Sequence, residues 1–218
     1  VTWRFAATAL ALLGVAGCAS PGGRSRTFDE ARLTAADGWL VAAPTPAVAQ
    51  EGPSDCGAAA LAMVAGRWRV ALSLTEATAA LPAATGGALL GDLRNVARAH
   101  GLSAFAIAGD RATLLHELGA GRPVIVGLLI PAGTGRARSH YEVVVAAHPG
   151  DDTFATLDPA GGRRLRGWPE LDAEWLPAGR PALVVVGAAR PTAPPAGSRP
   201  AASPRRRRRP GRRSAGGP

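Results

Sequence analysis

The chain changes character at Pro123. Before it, Ala- and Leu-rich stretches carry helical spacing and composition. After it, β-branched runs alternate with Gly, Pro and Asp turns. Helices first and strands later predict an α+β fold, an N-terminal helical part packed on a C-terminal antiparallel sheet. The expected helices cover residues 56–68, 73–81, 89–100 and 110–118. Ser73 or Thr75 caps the second, and Pro82 follows it. Leu89, Leu93, Val96 and Ala97 share one face of the third, and Gly101 stops it. Asp110 caps the fourth. The expected strands are residues 103–108, 124–130, 140–147, 153–157 and 182–186. Residues 39–48 read as an irregular extended lead-in, since Pro44 and Pro46 interrupt them.

The two ends read differently from this body. The net charge of +9 suits nucleic-acid binding at first sight. Arg190, Arg199, Arg205 to Arg209, Arg212 and Arg213 supply nine positive charges, with no acidic residue after Arg190, so the remainder is neutral. No specific nucleic-acid partner is therefore expected. Residues 189–218 are Pro, Ala, Arg and Gly without apolar periodicity, and an unstructured tail is expected there. All 25 basic residues are arginine, a compositional bias that weakens any functional reading of the run. At the other end, an apolar run from Phe5 follows Arg4. It is too short to span a bilayer and matches the hydrophobic core of an export signal. It ends on Val15-Ala16-Gly17-Cys18, which resembles a bacterial lipobox. That resemblance implies a signal peptide over 1–17, a lipid on Cys18 and a tether over 18–37. An incidental Cys18 after an ordinary signal is the alternative. The expected location is the cell envelope, on the periplasmic face of the outer membrane where one exists.

With Cys18 lipidated, Cys56 has no intramolecular partner, and an exported chain needs a reason to keep a free thiol. No second Cys or His stands at ligand spacing from it, so neither a metal nor another cofactor is expected. Cys56 opens a helix, where unpaired N–H groups and the helix dipole favour a thiolate. Gly57 leaves space for a substrate backbone, and Gln50 can offer an amide N–H beside the sulfur. Asp55 is placed to cap the helix. A buried, inert thiol is the plain alternative. His140 competes with His100, His116 and His148 for the partner role. It opens a long strand, which fixes its ring, whereas the others sit at a helix end, in mid-helix and in a turn. Asp158, before Pro159, either orients the imidazole or starts a turn.

Gln50, five residues, then Asp55-Cys56-Gly57 and an Ala/Leu/Met helix resembles the peptidase C39 family. These are papain-like cysteine peptidases, best known as leader-cleaving domains of bacteriocin exporters. Ser139-His140-Tyr141-Glu142-Val143 resembles the family's histidine block, and Leu157-Asp158-Pro159 its Asp-Pro. The resemblance implies a papain-like fold over residues 38–188. It makes Cys56 the nucleophile, His140 the general base and acid, Asp158 the imidazole orienter and Gln50 the oxyanion donor. A peptide or protein is the implied substrate, cut after small or Gly-Gly residues. The chain is similar to the stand-alone, lipoprotein-type branch. A non-catalytic peptide-binding module and an amidase or acyltransferase on the same scaffold remain as other classes. Four Gly-Gly pairs, at Gly22, Gly86, Gly161 and Gly216, are about what 28 glycines give by chance, so they carry no sign of self-processing. Trp39, Trp68, Trp168 and Trp175 are expected to pack rather than to bind a ligand.

Overall fold

The helices of the first half fall where their caps place them. In the computed structural model, which describes residues 26–42, 44–82, 87–133 and 135–187, these are α1 (Cys56–Arg67), α2 (Leu74–Ala80), α3 (Leu90–Ala99) and α4 (Arg111–Gly119). Cys18, the signal segment and the arginine tail lie outside the described residues. Ser73 and Glu76 form a reciprocal capping box at α2. Asp110 accepts the Thr113 N–H at 2.7 Å and so starts α4. α3 buries Leu93, Val96 and Ala97, but Leu89 stands before its first turn and is 68% exposed. Leu89 is therefore no part of the core face that its spacing implied.

Among the described residues, seven strands join one antiparallel sheet. They are β1 (Leu40–Val41), β2 (Ser103–Ala108), β3 (Val124–Ala132), β4 (Arg136–His148), β5 (Thr153–Asp158), β6 (Gly162–Gly167) and β7 (Pro181–Val186). The order across the sheet is β2-β7-β3-β4-β5-β6, and β1 pairs with the far end of β4. β4 begins four residues before the expected start, because Arg136–Ser139 pair with Ile130-side residues of β3. β6 and a fifth helix, α5 (Trp168–Trp175), were not expected.

Alternation along the strands divides the interior into two layers. Ile125, Val143, Leu157, Leu183 and Val185 pack with α1, α2 and α3 on one face. Val124, Val126, Val144, Phe154 and Val184 pack with α4 and α5 on the other. A bulge in β4 between Val144 and Ala146 places both Val145 and Ala146 on the α1 side before alternation resumes at Ala147. The sheet is thus covered on both faces. α1 is buried from Cys56 through Ala65, and its small side chains let it lie close on β4. The tryptophans pack: Trp168 meets Trp175 edge-on and also Phe154, while Trp68 Nε1 donates to the Val185 carbonyl.

Candidate active site

Three elements bring the chemistry together. Cys56 is the first residue of α1, His140 lies in the middle of β4 and Asp158 is the last residue of β5. The meeting follows from the pairing of the strands. β5 pairs with β4 only from Val143 to His148, so its neighbour ends before Tyr141 and His140. There the Tyr141 N–H and the His140 ring stand close enough to the Cys56 sulfur to stabilise its thiolate. His140 Nε2 lies 2.7 Å from Asp158 Oδ1, which leaves Nδ1 for the thiol. Asp158 Oδ1 also accepts the Ala160 N–H at 2.8 Å. All three side chains are buried, His140 at 2% exposure and the others at 7%.

Their electrostatics follow from that burial and pairing. Desolvation pushes the Cys56 thiol up, but the hydrogen bonds from His140 and Tyr141, the imidazolium charge and the Gly57 N–H outweigh it, and its pKa falls below the ordinary value. Burial pulls His140 down, yet Asp158 and Cys56 raise it to about 9. Burial raises Asp158, but His140 and the Ala160 and Gly161 N–H groups hold it well below the usual carboxylate range. The directions agree: the arrangement favours a thiolate beside an imidazolium and a carboxylate. Such a set can attack an electrophilic carbon and hand a proton to the departing group.

Gln50 reaches this group through the backbone. Its N–H donates to the Pro159 carbonyl at 3.0 Å, which ties the segment before α1 to the turn after Asp158. Its side chain donates from Nε2 to the Gly52 carbonyl at 2.9 Å, and its buried Oε1 has no protein partner. Asp55 differs from expectation. It precedes α1 but makes no side-chain cap, and its carboxylate accepts the Gly52 N–H at 2.7 Å, closing the turn that leads into the helix. Gly57 also differs. A Cβ there would lie 3.2 to 3.3 Å from Tyr141, Ala88 and Leu93, so its missing side chain admits protein rather than substrate. The other histidines stay apart: His100 bonds the Val96 carbonyl, His116 stands beside Glu117, and His148 bonds the Asp37 carbonyl.

A layer of charge behind Asp158 escaped the sequence reading. Arg164 on β6 places one nitrogen, Nη1, 3.0 Å from Asp158 Oδ2 and 3.1 Å from Glu142 Oε1. Glu142 is fully buried on β4 and also accepts from the buried Arg166, which in turn pairs with Glu174. The alternation of Glu142 with apolar neighbours on β4, and of Arg164 and Arg166 on one face of β6, was the available signal. His140, Glu142 and Asp158 each bring one ligand-type atom within 4.8 Å of the others. The Arg164 guanidinium already bridges the two carboxylates and supplies the charge a cation would bring.

Two hollows border residues of this site, one at His140 and one beside the start of α1. One, of about 230 Å³, is lined by Leu128, Ser139, His140, Tyr141, Pro177 and Pro181 among others. The other, of about 400 Å³, includes Ser54, Asp55, Ala58, Leu81, Gly87 and Ala88.

The fold matches that of known cysteine peptidase domains. The double glycine motif protease of an AMS/PCAT transporter, solved in complex with the leader peptide, superposes with a TM-score of 0.54 at 21% identity, over 66% of this chain and 93% of that one. The peptidase domain of Streptococcus ComA, a bifunctional ABC transporter of a quorum-sensing pathway, gives 0.55 at 21% identity, over 66% and 99%. A C39-like peptidase from Bacillus anthracis gives 0.59 at 14% identity, over 70% and 99%. No curated protein matches the sequence. Residues 45–178, more than half of the sequence, match the family model, and the chain belongs to the peptidase C39 family.

Proposed function

We propose that the chain is a cysteine peptidase that cuts peptide bonds through Cys56, His140 and Asp158, held at the cell envelope by a lipid on Cys18. The contiguous Cys56–His140–Asp158 set, with its thiol lowered and its imidazole raised, carries the reading. The Cys56 thiolate attacks the scissile carbonyl carbon, and the carbonyl electrons move onto oxygen. The Cys56 N–H, at the first position of α1 and free of any intrahelical partner, and the second Nε2 hydrogen of Gln50 stabilise that oxyanion. His140, as imidazolium, gives its proton to the departing amine, and a thioester remains on Cys56. Neutral His140 then takes a proton from water, whose oxygen attacks the thioester. The acid product leaves, and the thiolate–imidazolium pair returns. Asp158 holds the ring at Nε2 throughout.

A peptide lying across the pair could reach the hollow at His140 and the one beside the start of α1. The Tyr141 hydroxyl donates to the Ala88 carbonyl and leaves little height over the first turn of α1, which favours small residues, Gly-Gly among them, at the cleaved bond. The test is hydrolysis of a peptide series whose residues before the cleaved bond run from Gly-Gly through Ala-Ala to Leu-Leu. Cleavage of the small members, lost in Cys56→Ala and declining as pH rises through about 9, is the expected result. The decline has a defined sign: above that pH His140 has lost the proton the amine needs. A folded wild-type protein that binds these peptides without cutting them would make the chain a binding module instead.

A further inference from the structure

We infer that Arg164 and Glu142 are positioning residues of the reaction, a buried charge ladder that sets the protonation of the Cys56–His140–Asp158 group from behind. The inference rests on the catalytic reading of that group. The ladder runs across three strands with alternating sign: Asp158 on β5, Arg164 on β6, Glu142 on β4, Arg166 on β6 and then Glu174 on α5. Its inner members are buried, Glu142 completely and Arg166 at 3% exposure.

Desolvating this many charges is costly, and apolar side chains at the same sites would pack the sheet as well or better. Structure alone does not call for it. The geometry points instead to Asp158. Of its two oxygens, Oδ1 takes His140 and the Ala160 N–H, while Oδ2 takes Arg164, so the carboxylate is held at both ends and cannot rotate away from the ring. Without the Arg164 charge on Oδ2, Asp158 would hold the imidazolium more tightly and make it a weaker acid. The Arg164 charge offsets that hold, and Glu142, shared with Arg166, limits how far Arg164 does so. The charged or titrating groups facing the site are thus His140, Tyr141, Arg164 and Glu142, with Asp92 near Tyr141 and Arg166 behind Glu142.

The sign of each arm is fixed in advance. Removing a positive charge raises the titration of every group that feels it, and removing a negative charge lowers it. The readout is the pH profile of Cys56 alkylation by iodoacetate. Its acid limb reports the thiol, and its alkaline limb reports His140, because the anionic reagent is drawn by the imidazolium. Arg164→Gln should move both limbs to higher pH by about half a unit to one unit. Arg164→Lys, whose ammonium can replace the single bridging nitrogen, should restore most of the shift. Glu142→Gln should move both limbs the other way. Arg163→Gln, which loses only a surface pair with Glu30, is the control and should not move them. Arg164→Gln and Arg164→Lys profiles that both coincide with wild type, with only the melting temperature changed, would reduce the ladder to a structural role. Failure of the catalytic reading looks different: wild type would then titrate as an ordinary thiol and match His140→Ala.

Discussion

At the residue scale, the site depends on atoms that are scarce rather than on side chains that are unusual. One imidazole serves two partners, with Nε2 on Asp158 and Nδ1 toward Cys56. One guanidinium nitrogen serves two carboxylates. Gln50 divides itself in the same way, since one hydrogen of its amide is taken by the Gly52 carbonyl. Its role can be separated from that of the nucleophile. Gln50→Ala should lower kcat by about 10²–10³ and leave KM nearly unchanged, because the oxyanion exists only in the transition state. Alkylation of Cys56, which forms no oxyanion, should proceed at the wild-type rate in the same variant. Wild-type turnover in Gln50→Ala would remove Gln50 from the site. Cys56, His140 and Asp158 were legible in the sequence because each stands at the end or middle of an element with a clear pattern. Arg164 and Glu142 were not. In an arginine-rich chain, Gly162-Arg163-Arg164-Leu165-Arg166 looks like a solvated loop, and nothing local shows that two carboxylates wait across the sheet.

At the element scale, the same bias explains which parts of the fold were hidden. Strands β3, β5 and β7 show themselves through β-branched or apolar runs buried on both faces. β6 presents charge on both faces, and its strand character comes from pairing with β5 along its whole length. α5 carries Trp168, Leu171 and Trp175 at helical spacing, but Pro169 at its start reads as a break, although that position tolerates proline. Gly57 marks the joint between α1 and β4. It matters because the helix start must lie close under Tyr141, whose N–H reaches the sulfur. Gly57→Val would force its side chain against Tyr141, Ala88 and Leu93 and should cost about 1–3 kcal/mol by overpacking. Because Tyr141 would be displaced with it, Cys56 alkylation at neutral pH should slow in the folded fraction. Chemical denaturation and alkylation measured on one preparation check both effects. A variant that keeps both wild-type stability and wild-type reactivity would show that the joint has slack.

At the scale of the whole molecule, two terminal features offer competing ways to hold the proposed peptidase at a surface. The described residues cover the part of the chain that matches the peptidase C39 family, and neither terminal feature lies among them. The Val15-Ala16-Gly17-Cys18 segment points to covalent lipid, and the nine arginines after Ala189 point to electrostatic attraction to anionic headgroups. These mechanisms differ in physical signature. Two or more acyl chains bury enough CH₂ groups, at about 0.8 kcal/mol each, to anchor a protein stably whatever the salt. Charge attraction fades as added salt shortens the Debye length from about 10 Å at 0.1 M to about 3 Å at 1 M. We expect the lipid to dominate. Wild-type protein expressed in an export-competent bacterium should stay in the membrane fraction after a 1 M salt wash. Cys18→Ser should appear in the soluble fraction and keep its peptidase activity, since Cys56 is untouched. Removing residues 189–218 should leave the wild-type membrane fraction unchanged. Intact mass of the detergent-extracted protein should show a chain beginning at Cys18 with acyl mass added. A Cys18→Ser protein that remains bound until salt releases it would assign the anchoring to the arginine tail.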